Sequence, residues 1–252
     1  KQVFPKVLEA AKTLSERWVE AYAEHPYLRA WIGGYRVEFV PCFRIEHAGE
    51  LKSSTDRTPL HTEYVRGKLD ERSKGEVRLL KRFMRGIGTY GAEVKVGGFS
   101  GYLCELLIIK YGSFLNLLRE SSKWRRGTII DVEAHYKGEE EEARRLFKEP
   151  LIVIDPVDKF RNVASAVNEE RLGEFISASR AFLKKPSEEF FYPRETKPLS
   201  PETLTETLRT RGSDIVFVKI GKVKTEIPDV LWGQLYRTER ALRRLLTQHE
   251  FK

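Results

Sequence analysis

Cysteine, long apolar runs and a leader segment are scarce or missing in this 252-residue sequence. The two cysteines, Cys42 and Cys104, are too few for a disulfide framework or a four-ligand zinc site. The richest apolar run, residues 103–109, contains Glu105 and falls well short of the roughly 20 apolar residues that cross a membrane. No signal peptide is visible. We therefore expect an intracellular, cytoplasmic protein with no membrane partner.

The familiar motifs of several enzyme classes are missing as well. The sequence has no Gly-x-Ser-x-Gly elbow, no Walker phosphate loop and no His-Glu-x-x-His pair. The segment Gly97-Gly98-Phe99-Ser100-Gly101 is different, because it precedes a helical pattern and its backbone amides could receive a phosphate. The alternative interpretation of this segment is ordinary turn chemistry.

The sequence carries a moderate excess of positive charge. Lys and Arg number 45 against 37 Asp and Glu, which gives a net charge of +8 and a pI near 9.4. The basic residues form three clusters: Arg78, Lys81, Arg82 and Arg85; Lys123, Arg125 and Arg126 around Trp124; and Arg237, Arg240, Arg243 and Arg244. The second cluster combines cations with an aromatic ring, which suits phosphate contacts and base stacking, so we predict that Lys123, Trp124, Arg125 and Arg126 bind RNA. The alternative is a solvated helix end.

The spacing of apolar residues predicts mostly helices with a few short strands. Helices are predicted over residues 4–22, 59–69, 75–87, 99–118, 201–209 and 231–249, with one more that Asn168 caps; strands are predicted over residues 35–43, 128–132, 151–154 and 214–220. A turn is predicted at Gly33-Gly34 and a proline-rich linker over residues 184–201. Lys81 lies two helical turns before the turn at residues 88–91, so Lys81 and Tyr90 can line one groove.

A series of short segments carries a resemblance to a known family. In chain order they are YAEHPY at 22–27, VEFVPC at 37–42, DRTPLH at 56–61, EVRLLK at 76–81, YGAE at 90–93, GFSGYLCELL at 98–107, DPVD at 155–158 and RNVA at 161–164. The series resembles the archaeal-type (class I) CCA-adding enzymes, the tRNA nucleotidyltransferases that build the 3′-terminal CCA from CTP and ATP. It spans almost the whole chain.

The resemblance implies an α+β fold in three parts. Residues 1–57 correspond to the C-terminal part of a nucleotidyltransferase palm, residues 58–187 to a helical central nucleotide-binding domain, and residues 188–252 to the start of an α/β C-terminal tRNA-binding domain. The implied partners are CTP, ATP and the tRNA 3′ end. The sequence leaves a homodimer open.

The resemblance also implies roles for individual nucleotide-binding residues. His61 contacts the ribose or the triphosphate, and Lys81 and Tyr90 grip the triphosphate. Arg161 reads the base edge of CTP and ATP, because its guanidinium presents donors to acceptors that uracil and guanine lack at that edge. Asp158, or a backbone carbonyl near it, accepts a hydrogen bond from the exocyclic amine that both correct bases share.

Catalysis in this family uses two magnesium ions held by carboxylates. Glu38 stands where the family carries its third metal carboxylate, an aspartate, so Glu38 is the implied catalytic residue and Mg²⁺ ligand. Glu24 and His25 correspond to primer-side residues. We find no Gly-Ser motif before Glu38 and no Asp-x-Asp pair. We therefore expect a chain that lacks two metal carboxylates, is cut at both ends and does not catalyse the reaction alone.

Two alternatives stay open from the sequence. The first is another enzyme of the same superfamily, such as a poly(A) polymerase or an oligoadenylate synthetase-like protein, which would differ in base selection. The second is an RNA-binding or regulatory module without catalysis.

Overall fold

The N-terminal part of the chain pairs one helix with a small sheet. The computed structural model describes residues 3–22, 26–194, 198–212, 221 and 227–249, and its first helix, α1, spans Val3–Thr13. Three antiparallel strands follow in the order β1-β2-β3: β1 Arg17–Tyr22, β2 Pro26–Ile32 and β3 Tyr35–Phe39. Leu8 and Ala11 of α1 are buried against Leu28 of β2, which fixes the helix on the sheet.

The second half of the predicted helix over residues 4–22 is wrong, because the chain leaves the helix at Thr13. The backbone N–H of Glu16 donates to the carbonyl of Trp31 at 3.0 Å, and strand pairing continues from there. Trp18 and Val19 are residue types that strands favour, and cross-strand pairing decides their conformation. The turn predicted at Gly33-Gly34 is confirmed, with φ values of +55° and +80° that suit glycine.

The buried carboxylate of Asp56 organises the loop between the sheet and the helices. It accepts hydrogen bonds from the backbone N–H groups of Phe43 at 2.8 Å, Lys52 at 3.0 Å and Ser53 at 2.8 Å. Burial raises the pKa of Asp56, but these hydrogen bonds outweigh burial and leave the pKa below its usual value. Asp56 directly precedes helix α2, Arg57–Lys68, so the loop and the start of this helix are fixed together.

The remaining elements are α3 Glu71–Gly86, α4 Gly101–Tyr111, α5 Phe114–Ser121, β4 Thr128–Asp131, α6 Glu140–Leu146, β5 Leu151–Asp155, β6 Asp158–Asn162, α7 Glu169–Lys184, α8 Pro201–Arg211 and α9 Pro228–Gln248. The largest hydrophobic core lies among α3, α4, α5 and α7. At its centre the ring of Phe83 contacts the rings of Phe114 and Phe182, with centroids 5.3 and 5.6 Å apart.

The single helix predicted over residues 99–118 is two helices, α4 and α5, that meet at a 92° bend. Gly112 ends α4 in the left-handed region at φ +78°, and the Ser113 side chain caps α5 by accepting from the N–H of Asn116. Among the described residues no single helix is long and apolar enough to cross a membrane; the α4–α5 pair meets that test jointly, across its bend.

A second three-stranded sheet follows the helices. β4 is parallel to β5 and β5 is antiparallel to β6, in the order β4-β5-β6. The strands predicted over residues 128–132 and 151–154 are confirmed as β4 and β5. The polar strand β6 was not predicted, because only Phe160 in it is apolar and an edge strand needs no apolar pattern. The sheet places the fully buried Asp155 at the end of β5.

The sequence-based predictions for the C-terminal part of the chain are only partly confirmed by the structure. The helix cap predicted at Asn168 is confirmed, since its side chain accepts from the N–H of Arg171 at 2.8 Å. The linker prediction is wrong around Phe190 and Phe191, which pack on the central core. The strand predicted over residues 214–220 lies outside the described residues. The α+β fold class is confirmed, and the domain boundaries after residues 57 and 187 stay predictions.

Candidate functional site

A basic groove of about 700 Å³ lies among α2, α3 and α4. Four cationic side chains line it, Arg66, Lys74, Arg78 and Lys81, against a single carboxylate, Glu105. The walls between them are largely apolar, which lowers the local dielectric constant and strengthens the attraction between each cation and an anionic ligand. The groove is therefore suited to an anionic ligand with an apolar portion.

Lys81 and Tyr90 converge at the start of α4. A Cβ atom on Gly101 would lie 3.3 Å from the Tyr90 Oη and 3.5 Å from the Lys81 Nζ. The Lys81 ammonium donates to Glu105 Oε1 at 2.8 Å, which holds it over the groove. An ammonium, a phenol hydroxyl and the positive end of a helix thus lie close together, and each of them favours binding of a phosphate group. Lys81 lines the groove and Tyr90 lies beside Lys81, and their predicted role in holding the triphosphate stays a prediction.

Close backbone packing holds Tyr90 in place. The N–H of Phe99 donates to the carbonyl of Thr89 at 2.8 Å, and the N–H of Gly91 donates to the carbonyl of Phe99 at 2.9 Å. A Cβ at Gly98 would lie 2.9 Å from the Thr89 carbonyl carbon, so only glycine lets the two segments approach this closely. The glycine-rich segment at 97–101 therefore fixes Tyr90 beside the start of α4.

The buried carboxylate of Asp155 joins three side chains from separate elements. Its Oδ2 accepts from His61 Nε2 at 2.9 Å and from the Arg161 Nη1 at 2.7 Å. Its Oδ1 accepts from the Tyr102 hydroxyl at 3.3 Å and from the N–H of Val157 at 3.1 Å. Sequence reasoning missed Asp155 as a site residue, although an acid that ends a fully apolar strand is a signal that could have found it.

The electrostatics of this network favour an ionised carboxylate. Burial raises the pKa of Asp155, but the hydrogen bond and charge of His61, with the bonds from Val157 and Arg161, outweigh burial and lower the pKa. Burial and the neighbouring Asp155 charge raise the pKa of Tyr102, so its hydroxyl stays a donor. The rings of His61 and Tyr102 stack with centroids 4.1 Å apart and both line the groove.

Asp158 already has a partner on each carboxylate oxygen. Its Oδ2 accepts from Arg57 Nε at 2.8 Å, and its Oδ1 accepts from the N–H of Phe160 at 3.2 Å. The side chain is nine-tenths buried. These contacts tie the start of α2 to β6, so the alternative acceptor, a nearby backbone carbonyl, remains open for the base amine.

The predicted RNA-binding cluster separates into a core residue and a surface group. Trp124 is only 6% exposed and its ring lies 5.8 Å from that of Phe175, so the prediction that it stacks on RNA is wrong. Arg125 is exposed. Lys123 and Arg126 are exposed and form surface ion pairs with Glu120 and Glu169, respectively. Of the other predicted RNA contacts, Glu24 and His25 lie outside the described residues.

Glu38, the predicted metal carboxylate, lies on β3 opposite Arg29. Its Oε1 accepts from Arg29 Nε at 2.9 Å, and both side chains are more than a third exposed. The residues that the structure describes include no group of three or more His, Cys, Asp or Glu side chains that could hold a metal ion. One carboxylate that is paired with an arginine does not make a magnesium site, so the described part of the chain does not fit the ion by itself.

Comparisons with known proteins identify relatives. Residues 75–192 match the family model described as tRNA nucleotidyltransferase, second domain. A CCA-adding enzyme of Methanothermobacter thermautotrophicus is 46% identical over 220 residues, which are 87% of this chain and 46% of the relative. The CCA-adding enzyme of Sulfurisphaera tokodaii is 43% identical over 97% of this chain and 56% of its own length, and that of Methanosarcina barkeri is 43% identical over 94% and 50%. The chain thus spans about half the length of these curated relatives.

Proposed function

The chain belongs to the family of the archaeal CCA-adding enzymes, and from this premise we propose that it supplies the nucleotide-holding part of a tRNA nucleotidyltransferase that adds the 3′-terminal CCA from CTP and ATP. The observation that carries the proposal is the convergence of Lys81 and Tyr90 at the start of α4, where Lys81 also lines the basic groove.

The triphosphate is proposed to bind at this convergence. Lys81 supplies an ammonium that also pairs with Glu105, Tyr90 supplies a hydroxyl donor, and the start of α4 beside them supplies the positive end of a helix. These contacts carry no information about the base, so they serve CTP and ATP equally.

The base is proposed to face Arg161. The guanidinium offers donors and no acceptor, which matches cytosine O2 and N3 or adenine N1 and opposes the protonated N3 of uracil and N1 of guanine. His61, beside Arg161 on the shared oxygen of Asp155, is proposed to contact the ribose or the triphosphate. Asp158 or a neighbouring carbonyl is proposed to accept from the exocyclic amine.

Family membership implies a divalent metal ion, which we propose to be Mg²⁺ with Glu38 as one ligand. The described residues do not assemble the remaining ligands, so the proposal for this chain concerns nucleotide and tRNA binding. Residues 1–57, 58–187 and 188–252 are proposed as palm, nucleotide-binding and tRNA-binding parts; the family model match over residues 75–192 supports the middle one. A cytoplasmic location and a homodimer stay predictions.

The proposal is tested by nucleotide binding to this chain with a tRNA transcript that lacks its CCA end. We expect CTP and ATP to bind, and inorganic tripolyphosphate to displace both. Lys81→Ala is expected to weaken both nucleotides by a similar factor of about ten, since it removes one charged phosphate contact. Titration calorimetry or filter binding with labelled nucleotides measures each affinity.

The control variant is Arg119→Ala, which removes the same charge from α5, where the exposed side chain hydrogen-bonds to Asn116. It should leave both affinities unchanged. Binding of ATP without CTP would favour the poly(A) polymerase or oligoadenylate synthetase alternative. Binding of tRNA with no triphosphate binding would favour the RNA-binding module.

A further inference from the structure

The buried carboxylate of Asp155 lies between the groove and the residue that is proposed to read the base. We propose that Asp155 is a positioning residue that holds the Arg161 guanidinium in the orientation needed to discriminate cytosine and adenine from uracil and guanine. This inference rests on the function proposed above and names the residue on which its base selection depends.

The first support is the difference in burial across one ion pair. Asp155 is fully buried, whereas the Arg161 side chain is 34% exposed, and the Arg161 Nη1 lies 2.7 Å from Asp155 Oδ2. An arginine has several rotatable bonds and samples many rotamers when unpaired. The ion pair with a fixed, buried carboxylate restricts these rotamers. It therefore also fixes the direction of the other N–H donors of the guanidinium.

The second support is that the same oxygen also binds a residue of the groove. Asp155 Oδ2 accepts from His61 Nε2 at 2.9 Å as well, and His61 stacks on Tyr102, which donates to Oδ1. His61 comes from α2, Tyr102 from α4 and Arg161 from β6, so the carboxylate sets the position of Arg161 relative to two walls of the groove.

The third support is that only a carboxylate satisfies all of these donors. Each oxygen of Asp155 faces two donors: His61 and Arg161 at Oδ2, and Tyr102 and the Val157 amide at Oδ1. An asparagine has one oxygen and one NH₂ group, so in either orientation its NH₂ would face a group that can only donate, the Arg161 guanidinium or the Val157 amide. Asp155→Asn therefore changes the geometry of the network without changing its size.

The test compares Asp155→Asn with wild type in the full chain bound to a tRNA transcript without its CCA end. Affinities for CTP, ATP, UTP, GTP and tripolyphosphate are measured separately. The preference for CTP over UTP and for ATP over GTP is expected to fall about tenfold, because an oriented base contact is lost. Tripolyphosphate binding is expected to stay within about twofold, because the Lys81 and Tyr90 contacts carry no base information.

Asp131→Asn is the matched control. Asp131 is the last residue of β4 and pairs with Ile154, next to Asp155, yet its carboxylate accepts from the N–H of Tyr136 and not from the groove. It should leave the base preference unchanged. If Asp155→Asn weakened all five ligands equally, the role of Asp155 would be structural and the inference would be wrong.

A double-mutant cycle asks whether Asp155 acts through Arg161. On an Arg161→Ala background, Asp155→Asn should change the base preference no further, whereas additive effects would contradict the positioning role. A wild-type chain that binds neither nucleotides nor tripolyphosphate would instead refute the proposed function.

A further measurement needs no change at Asp155, in case Asp155→Asn does not fold. In ¹⁵N-labelled wild-type chain, the guanidinium NMR signals of Arg161, assigned by their loss in Arg161→Lys, should show slow rotation about the Nε–Cζ bond. Signals averaged as in a free arginine would overturn the inference.

Discussion

At the scale of single residues, Asp155 makes the stability of the fold depend on pH in the acidic range. Three side chains face its carboxylate, His61 from α2, Tyr102 from α4 and Arg161 from β6. Burial raises its pKa, but the hydrogen bond and charge of His61 and the bonds from the Val157 amide and Arg161 outweigh burial and lower the pKa in the folded state. A lowered folded pKa contributes stability that is complete above the unfolded pKa of about 3.9 and is lost as the pH falls through the folded value.

We therefore predict that Asp155→Asn lowers the free energy of unfolding at pH 7 by about 1–3 kcal/mol, because buried donors lose their acceptor. The difference between wild type and variant should shrink once the pH falls below about 4, because the unfolded wild-type chain then takes up a proton at Asp155 that the folded carboxylate does not. Urea unfolding curves from pH 7 to pH 3 measure both. A difference that stays constant down to pH 3 would mean that folding does not lower the pKa of Asp155.

Whether a site residue could be predicted from the sequence depends on how far apart in the chain its contact partners lie. Lys81 and Tyr90 could be placed together from sequence because only nine positions separate them and α3, which carries Lys81, ends shortly before Tyr90. Asp155 could not, since its partners His61 and Tyr102 lie 94 and 53 positions away. Trp124 shows the opposite error: its basic neighbours suggested a surface, whereas the core contacts that bury it come from the distant Phe175 and from Tyr111.

At the scale of elements, the bend between α4 and α5 shapes the core, because it brings Phe114 and Leu117 of α5 into it. Apolar residues continue through both helices, so periodicity alone predicted one helix. The local signal of the break was Gly112 followed by Ser113, a left-handed helix end and a helix cap. The N-terminal error has a similar cause: the residues of β1 also fit a helical spacing, and only their pairing with β2 decides between the two.

Gly112→Ala tests how much the bend depends on glycine. A Cβ at Gly112 would meet no atom within 4 Å, so the expected cost comes from the backbone at φ +78° alone. Side chains disfavour this region by about 1–2 kcal/mol, and we predict a loss of unfolding free energy of that size. Urea unfolding measures it.

Gly67→Ala in α2 is the control, because it also meets no atom within 4 Å but has an ordinary helical backbone. It should raise the unfolding free energy by about 0.5–1 kcal/mol. If Gly112→Ala were also stabilising, the bend would not rest on the left-handed glycine.

At the scale of the whole molecule, the basic residues behind the net charge of +8 lie in two kinds of place. Part of this charge is concentrated in the groove that Lys81 lines, which is proposed to hold the nucleotide. Another part is spread over exposed surfaces: Lys123, Arg125 and Arg126 follow α5, and the basic cluster of α9 lies on an exposed helix. The exposed cations suit a large polyanion, and the family makes tRNA the expected one.

We predict that the chain binds tRNA with an affinity that falls steeply as salt is added, because binding releases counterions from the phosphates. Arg125→Ala should reduce the slope of log affinity against log salt concentration by about 1, as one phosphate contact is lost. Lys12→Ala is the control, since Lys12 is held by Glu9 and Glu20 near the N-terminal sheet. Filter binding of labelled tRNA at several salt concentrations measures the slope.

We further predict that binding is not followed by extension when this chain alone is given magnesium, radiolabelled CTP and a tRNA without its CCA end. Two-metal transfer needs several carboxylates around ions roughly 3.5–4 Å apart. Within the described ranges, Glu38 is paired with Arg29 and no group of three or more potential ligands occurs. With no such ligand group among the described residues, we expect no stabilisation of the attacking and leaving oxygens. Incorporation of CTP above a no-protein control would show that the chain holds these ions through ligands other than Glu38, and salt-insensitive tRNA binding would contradict the electrostatic argument.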